Sequence, residues 1–203
     1  MEYEAHTLKS DIAAAAARIA VEEGLEYGPA KRRAIRQLGL PARSALPGKY
    51  EIDESVQEYI ALFCADTQPP ELAALRQLAL RWMERMARFR PHLAAAVWRG
   101  TATRRSDIHI ALFCDDSKSA EFALIDLKVA YETRSVTGLR GDAVETLSVH
   151  DFCIGLNEMV GVHLLVYDYD DLRGALRLDA KGRPPRGDLA AVRRLVESVD
   201  NAP

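Results

Sequence analysis

Cysteine is scarce in this chain, and its few cysteines lie far apart. Only Cys64, Cys114 and Cys153 occur among 203 residues, and their spacing is not that of a zinc knuckle or of a paired-disulfide framework. Two of them lie inside apolar runs, so we interpret all three as buried thiols of a reducing compartment rather than as redox groups. A cytoplasmic protein is therefore expected.

Long hydrophobic runs and an excess of one charge are also lacking. No apolar run approaches the about 20 residues that a transmembrane helix needs, and the first residues are acidic, unlike those of a secretory signal. The 27 basic and 30 acidic residues give a formal net charge of −3, which supplies no overall attraction to nucleic acid. We expect no membrane partner, and any phosphate-binding surface must be local.

Apolar residues at helical spacing dominate the first 90 residues. Leu8, Ile12 and Ile19 share one face of a helix that Gly24 ends, and a loop is predicted over 41–51. The longest helix opens at Pro69-Pro70 and carries a stripe typical of a core face. The stripe consists of Leu72, Leu75, Ala79, Trp82, Met83 and Met86. We therefore predict a helical N-terminal region over residues 1–90.

A short helix predicted at 29–38 has a strongly basic polar face. The basic residues are Lys31, Arg32, Arg33 and Arg36. Such a face is explained either by solvation and pairing with Glu22, Glu23 and Glu26, or by contact with RNA or DNA phosphates. The sequence leaves both explanations open.

From residue 94 the pattern changes to short β-type runs, and we predict one α/β domain over 91–203. Strands are predicted at 94–99, 107–114, 129–136, 143–149 and 162–168, with helices near 117–126 and 150–159. Two glycines in the segment 138–142 favour a β-hairpin between the third and fourth strands. The predicted fold class is α+β: a helical N-terminal region followed by a mixed β-sheet flanked by helices.

The segment 96–110 combines two features that suit chemistry on phosphates. We expect a strand to stop at Gly100, where the missing Cβ lets backbone amides approach a ligand and Thr101 adds a hydroxyl. Seven residues later Asp107 and His109 alternate with isoleucines, so both polar side chains should project from one face of the next strand. Arg99, Arg104 and Arg105 surround the turn and could counter phosphate charge.

This segment resembles the polymerase-β-like nucleotidyltransferase superfamily, in which a glycine turn is followed by a Ser-Asp-hydrophobic-Asp-hydrophobic strand. The resemblance covers roughly residues 94–168. It implies that the glycine turn grips a nucleoside triphosphate and that strand carboxylates bind divalent metal ions. The implied nucleotide-binding residues are Gly100, Thr101, Arg104, Arg105 and Ser106.

The same resemblance implies a catalytic set of Asp107, His109 and Glu145. Glu145, in Val144-Glu145-Thr146-Leu147, matches the third carboxylate, whereas His109 stands where a second Asp is expected. Asp107 and Glu145 would then hold Mg²⁺ or Mn²⁺, because these ions prefer oxygen ligands and a neutral imidazole brings no negative charge. His109 could instead serve as a general base, since its unperturbed pKa of about 6.5 is near working pH.

Two functions follow from these expectations. The first is metal-dependent transfer of a nucleotidyl group from an NTP to RNA, a protein hydroxyl or a small molecule. The alternative is a nucleotidyltransferase-like fold without catalysis that binds a nucleotide or RNA, with the basic helix at 29–38 contacting the RNA.

Overall fold

The computed structural model describes residues 2–41 and 43–200, which form eight α-helices and six β-strands. The helices are α1 (Glu2–Glu23), α2 (Tyr27–Gln37), α3 (Lys49–Phe63), α4 (Gln68–Arg85), α5 (Ala95–Arg99), α6 (Lys118–Asp126), α7 (Leu172–Ala175) and α8 (Leu189–Asp200). The strands are β1 (His92–Ala94), β2 (Ile108–Cys114), β3 (Glu132–Thr137), β4 (Ala143–Cys153), β5 (Glu158–Asp168) and β6 (Gly187–Asp188). The expected α+β class is confirmed: helices come first and a mixed sheet follows.

The chain divides into two compact units. The first runs to Glu71 and includes the returning segment Thr101–Ser106, whereas the second comprises Leu72–Gly100 and the residues from Asp107 onwards. The division therefore differs from the boundary expected at residue 90. Its physical reason is that most of α4 packs on the sheet: the indole N–H of Trp82 donates to Asp151 Oδ2 of β4 at 2.9 Å.

The first unit is a cluster of α1, α2 and α3 around an aliphatic core. Ile12, Ile19, Ile52 and Val56 are at most 1% exposed, as the helical spacing of the apolar residues predicts. α1 ends at Gly24, which adopts the left-handed conformation with φ 71°. A Cβ at Gly24 would overlap the backbone carbonyl of Arg105, so this position requires glycine for both its conformation and its space.

The second unit is built on a six-stranded sheet in the order β3-β4-β5-β2-β1-β6. Only β2 and β5 pair in parallel, with Ile108 opposite Val162 and Cys114 opposite Asp168. The other neighbours are antiparallel. The β3–β4 hairpin turns through residues 138–142, where Gly141 has φ 89°, and this confirms the predicted hairpin.

Two predicted elements are wrong. The strand expected at 94–99 is the helix α5, because the extended backbone of β1 stops at Ala94 and Ala95 adopts a left-handed φ of 57°. The helix expected at 150–159 is the end of β4, a turn and the start of β5. Asn157 supplies the left-handed residue of that turn, with φ 55°, and its N–H donates to the Cys153 carbonyl at 2.8 Å.

The predicted core stripe of α4 is confirmed, since Trp82, Met83 and Met86 are at most 1% exposed. Across residues 2–41 and 43–200, the helices are all too short or too polar to cross a membrane.

Candidate functional site

The predicted site residues divide between the two units. Thr101, Arg104, Arg105 and Ser106 belong to the first unit, whereas Gly100, Asp107, His109 and Glu145 belong to the second. We therefore describe each group within its own unit.

Gly100 lies at the C-terminal end of α5 and not at the end of a strand. It has φ 83°, and its N–H donates to the Ala96 carbonyl as part of the helix cap. A helix C-terminus presents carbonyl oxygens and partial negative charge. Arg76 already bonds one of these carbonyls, since its Nε donates to the oxygen of Val97 at 3.3 Å. This geometry is the opposite of the phosphate-gripping turn that the sequence predicts.

Several polar groups of the segment Thr101–Ser106 hold the first unit together. The hydroxyl of Thr103 donates to the Val21 carbonyl at 3.1 Å, and the Thr103 N–H donates to Ser106 Oγ at 3.1 Å. Thr101 and Ser106 are 5% and 7% exposed. Neither of these two predicted nucleotide contacts is thus on an open surface.

The side chains of Arg104 and Arg105 are exposed. The backbone N–H of Arg104 donates to Glu71 Oε2 at 2.9 Å, which fixes the course of the loop. Of the predicted nucleotide-binding residues in this unit, Arg104 and Arg105 are the two that are exposed to solvent.

In the second unit, one carboxylate, one imidazole and one hydroxyl form a line across three adjacent strands. His163 Nε2 of β5 lies 3.1 Å from Oδ2 of Asp107, which directly precedes β2. His163 Nδ1 lies 2.9 Å from Ser148 Oγ of β4. The hydrogen bond from His163 lowers the pKa of Asp107 below its ordinary value, and the nearby imidazole of His109 acts in the same direction against partial burial. The Asp107 carboxylate is therefore stabilised in its charged form.

His109 stands beside this line, because it is the register partner of His163. The two imidazole rings have centroids 4.9 Å apart at an interplanar angle of 40°. We call the sheet surface that carries Asp107, His109, Ser148 and His163 the histidine face. The structure thus confirms the expectation that Asp107 and His109 project from the same face.

Gly161 of β5 makes room for the Asp107 carboxylate. A Cβ added to Gly161 would lie 2.6 Å from Asp107 Oδ1, and the Gly161 backbone also hydrogen-bonds to this carboxylate. The position of Asp107 therefore depends on a neighbour that has no side chain.

Glu145 does not join Asp107, and the predicted pairing of these two carboxylates around one metal ion is wrong. Glu145 pairs with Val166 of β5, and Val166 pairs with Leu112 of β2. Glu145 is therefore level with Leu112, two strands away from β2 and five residues further along the strand direction than Asp107. That is roughly 16 Å along the strand direction. Because side chains alternate along a strand and paired residues share a face, Glu145 points to the opposite face of the sheet from Asp107 and His109. On that face Lys118 Nζ lies 3.2 Å from Glu145 Oε1.

The histidine face does not fit the Mg²⁺ or Mn²⁺ pair that the resemblance implies. It offers one carboxylate, Asp107, together with two imidazoles, and hard divalent ions prefer several oxygen ligands. Within the described part of the chain, no three or more His, Cys, Asp or Glu side chains are grouped so that they could hold a metal ion. What the face can do is present the His109 imidazole beside the His163 ring, whose two nitrogens are held by the Asp107 carboxylate and the Ser148 hydroxyl.

The Asp107–His163–Ser148 line has the order of groups found in nucleophilic relays, in which a carboxylate supports a histidine that activates a hydroxyl. Ser148, however, is only 5% exposed. A substrate carbonyl or phosphorus atom has no approach to a hydroxyl enclosed in this way. We interpret Ser148 as the group that holds the His163 ring.

Sequence reasoning missed His163 and Ser148 as members of the site. His163 looks structural because it lies between Val162 and Leu164 in an apolar strand. The available signal was the alternation of side chains along β4, where the polar residues Thr146, Ser148 and His150 indicate one polar face. Only the pairing of β4 with β5 shows that His163 lies on this face.

The basic helix predicted at 29–38 is α2. Arg33 forms an ion pair with Glu23 at 2.6 Å, which agrees with the solvation-and-pairing explanation. Arg32 and Arg36 are exposed, and contact between this helix and RNA stays a prediction.

Comparison with known proteins adds no relative from which a role could be taken. No family model matches the chain, and no curated protein or solved structure matches it either.

Proposed function

We propose that this chain is a nucleotide-binding module of the nucleotidyltransferase-like type that lacks metal-dependent transfer chemistry. Its histidine face is the binding surface, where the His109 imidazole contacts the phosphates and the His163 ring is held in place by Asp107 and Ser148. The resemblance of the segment 94–168 supports the ligand class. The separation of Asp107 from Glu145 on opposite faces of the sheet supports the absence of chemistry.

Nucleotidyl transfer relies on paired metals, about 3.5–4 Å apart, that clamp the attacking and leaving oxygens. A single carboxylate flanked by two imidazoles supplies neither the charge nor the oxygen ligands of that clamp. Imidazole N–H groups, by contrast, bind phosphate oxygens without a metal. The geometry therefore favours binding over transfer.

Calorimetric titration with ATP, GTP, CTP and UTP in EDTA tests the binding step. We expect at least one NTP to bind without metal, and His109→Gln to weaken that binding about tenfold, because it removes the imidazole that contacts the phosphates. Glu145→Gln is the matched control, since this carboxylate is on the other face, and it should leave the affinity unchanged. Equal affinities for wild type and His109→Gln would place the nucleotide elsewhere.

Incubation with radiolabelled NTP and Mn²⁺ or Mg²⁺ tests the absence of transfer. The protein, RNA and small acceptors should remain unlabelled. Label that depends on Mn²⁺ and vanishes in Asp107→Ala would show the transferase that the sequence first predicts and would reject the binding-only function.

A further inference from the structure

A cavity of about 610 Å³ opens at the other end of β2 from Asp107. It is lined by Cys114, the last residue of β2, and by Tyr169, which follows the last residue of the parallel strand β5. The carboxyl ends of parallel strands are the usual place for ligands in open sheets. The volume lies within the roughly 300–1,000 Å³ of small-molecule sites.

Two guanidinium groups line this cavity with their N–H groups unused. Arg90 stacks over the Tyr169 ring at 4.1 Å, and Arg88 stacks over the Phe89 ring at 4.6 Å. Within residues 2–41 and 43–200, neither guanidinium has an ion-pair or hydrogen-bond partner. Ring stacking engages the flat face of a guanidinium and leaves its N–H edge for a bidentate contact with a phosphate.

Aromatic surface is exposed beside these arginines. Phe122 is 59% exposed and Tyr169 is 38% exposed, and both line the cavity. Phe122 is presented by α6 together with Ser119 and Asp126, whose spacing places the three residues on one side of the helix. An exposed phenyl ring in a concave site is a stacking surface for a planar ring of a ligand.

The three carboxylates that line the cavity, Asp115, Asp116 and Asp126, have different roles. Asp116 precedes the N-cap of α6 and bonds its first residues: its Oδ1 accepts the Lys118 N–H at 3.0 Å and its Oδ2 lies 3.3 Å from the Ser119 hydroxyl. One N–H at the start of α6 is therefore already bonded to this aspartate, and the negative charge of Asp116 opposes an anion at that position. Asp115 and Asp126 also line the cavity, and their carboxylates can accept hydrogen bonds from hydroxyl groups.

We propose that this cavity binds a nucleoside monophosphate, with the base stacked on Phe122 and Tyr169, the phosphate on Arg88 and Arg90, and the ribose hydroxyls on Asp115 or Asp126. The cavity contains the three kinds of contact that such a ligand requires. The proposal uses none of the residues of the histidine face and therefore stands independently of the proposed function.

Calorimetric titration with AMP, GMP, CMP and UMP tests the site, using two variants that each remove one contact. Arg90→Gln and Phe122→Ala should each weaken the tightest of these ligands by about tenfold, because each removes a phosphate contact or a stacking surface. Arg194→Gln and Phe63→Ala are matched controls on exposed positions outside the cavity and should bind within twofold of wild type. Circular dichroism should show equal folding of all four variants, since no substituted side chain is in the core.

Ligand fragments test the assignment of the parts. Taking AMP as the parent, adenosine, ribose 5-phosphate and 2′,3′-dideoxy-AMP should each bind more weakly, because each lacks one contact. Amide shifts in NMR should change around Cys114–Phe122 on addition of AMP. Absence of binding by all four nucleotides at millimolar concentration, or unchanged affinity in both Arg90→Gln and Phe122→Ala, would overturn the proposal.

The NMR shifts can reject the cavity site or the proposed function of the histidine face, each without rejecting the other. Shifts confined to the residues around Asp107 and His163 would overturn the cavity site and leave the histidine face as the nucleotide site. Shifts confined to Cys114–Phe122 with NTP as well as AMP would support the cavity site and reject the proposed function.

Discussion

Gly161→Ala is predicted to break the hydrogen bond between His163 and the Asp107 carboxylate without unfolding the protein. The new methyl carbon would lie 2.6 Å from Asp107 Oδ1, which is closer than real Cβ contacts allow. The carboxylate is 52% exposed, so it can rotate into solvent instead of displacing the backbone. Its hydrogen bond with His163, which is the largest cause of its lowered pKa, is then lost.

The change in stability should be small, because two modest effects oppose each other. Loss of this half-exposed contact between a carboxylate and an imidazole costs about 0–1 kcal/mol. Replacing a strand glycine by alanine stabilises by roughly 0.4–1 kcal/mol through the unfolded state. The free energy of unfolding should therefore change by less than about 1 kcal/mol, which corresponds to a Tm shift within roughly 4 °C for a chain of this size.

The assay is a pH titration of the Asp107 carboxyl carbon by ¹³C NMR, together with urea denaturation. In Gly161→Ala the pKa of Asp107 should rise towards its ordinary value, and the urea midpoint should hardly move. Gly174→Ala is the matched control, since nothing lies within 4 Å of a Cβ built there, and it should leave the Asp107 titration unchanged. An identical Asp107 titration in wild type and Gly161→Ala would refute the close approach on which this reasoning rests.

Further predictions concern other contacts. Trp82→Phe should lower the free energy of unfolding by roughly 2–3 kcal/mol, because it opens a void in the core and removes the indole hydrogen bond. Urea denaturation of wild type and variant measures this difference. Hydrogen bonding to Glu22 raises the pKa of Tyr59 to about 12, so Glu22→Gln should lower that pKa, as ultraviolet titration of the phenol will show. Because the folded-state pKa of Asp107 is lowered, its contribution to stability should be present above the ordinary carboxyl pKa and decline as pH falls through the lowered one. Asp107→Asn should abolish that part of the acid dependence. Mn²⁺ affinity measured by electron paramagnetic resonance should be the same in wild type and Glu145→Gln, and a loss of affinity in this variant would contradict the separation of the two carboxylates.

The local elements with strong periodicity were predictable. α1 and α4 carry apolar stripes of helical period that bury themselves in any compact fold, and the glycines of 138–142 select a hairpin without long-range information. The segments 94–99 and 150–159 were not predictable in this way. Short apolar runs suit a strand or a helix equally well, and the neighbours on the sheet decide between them.

The candidate site could also be predicted only in part from the sequence. The alternation of Asp107 and His109 with isoleucines is enough to place both on one face of β2, because side chains alternate along every strand. The partner of Asp107 depends on which strands pair and in which register. A shift of one residue in β4 or β5 exchanges the faces of Glu145 and Ser148.

The amino-acid sequence by itself determined the α+β class, the helical first half and the strand that carries Asp107 and His109, since these follow from short-range periodicity. Only the tertiary structure decided that His163 and Ser148 complete the histidine face, while Glu145 pairs with Lys118 on the other side of the sheet. The physical reason is that strand pairing joins residues far apart in the chain, and its register is set by the packing of the whole sheet.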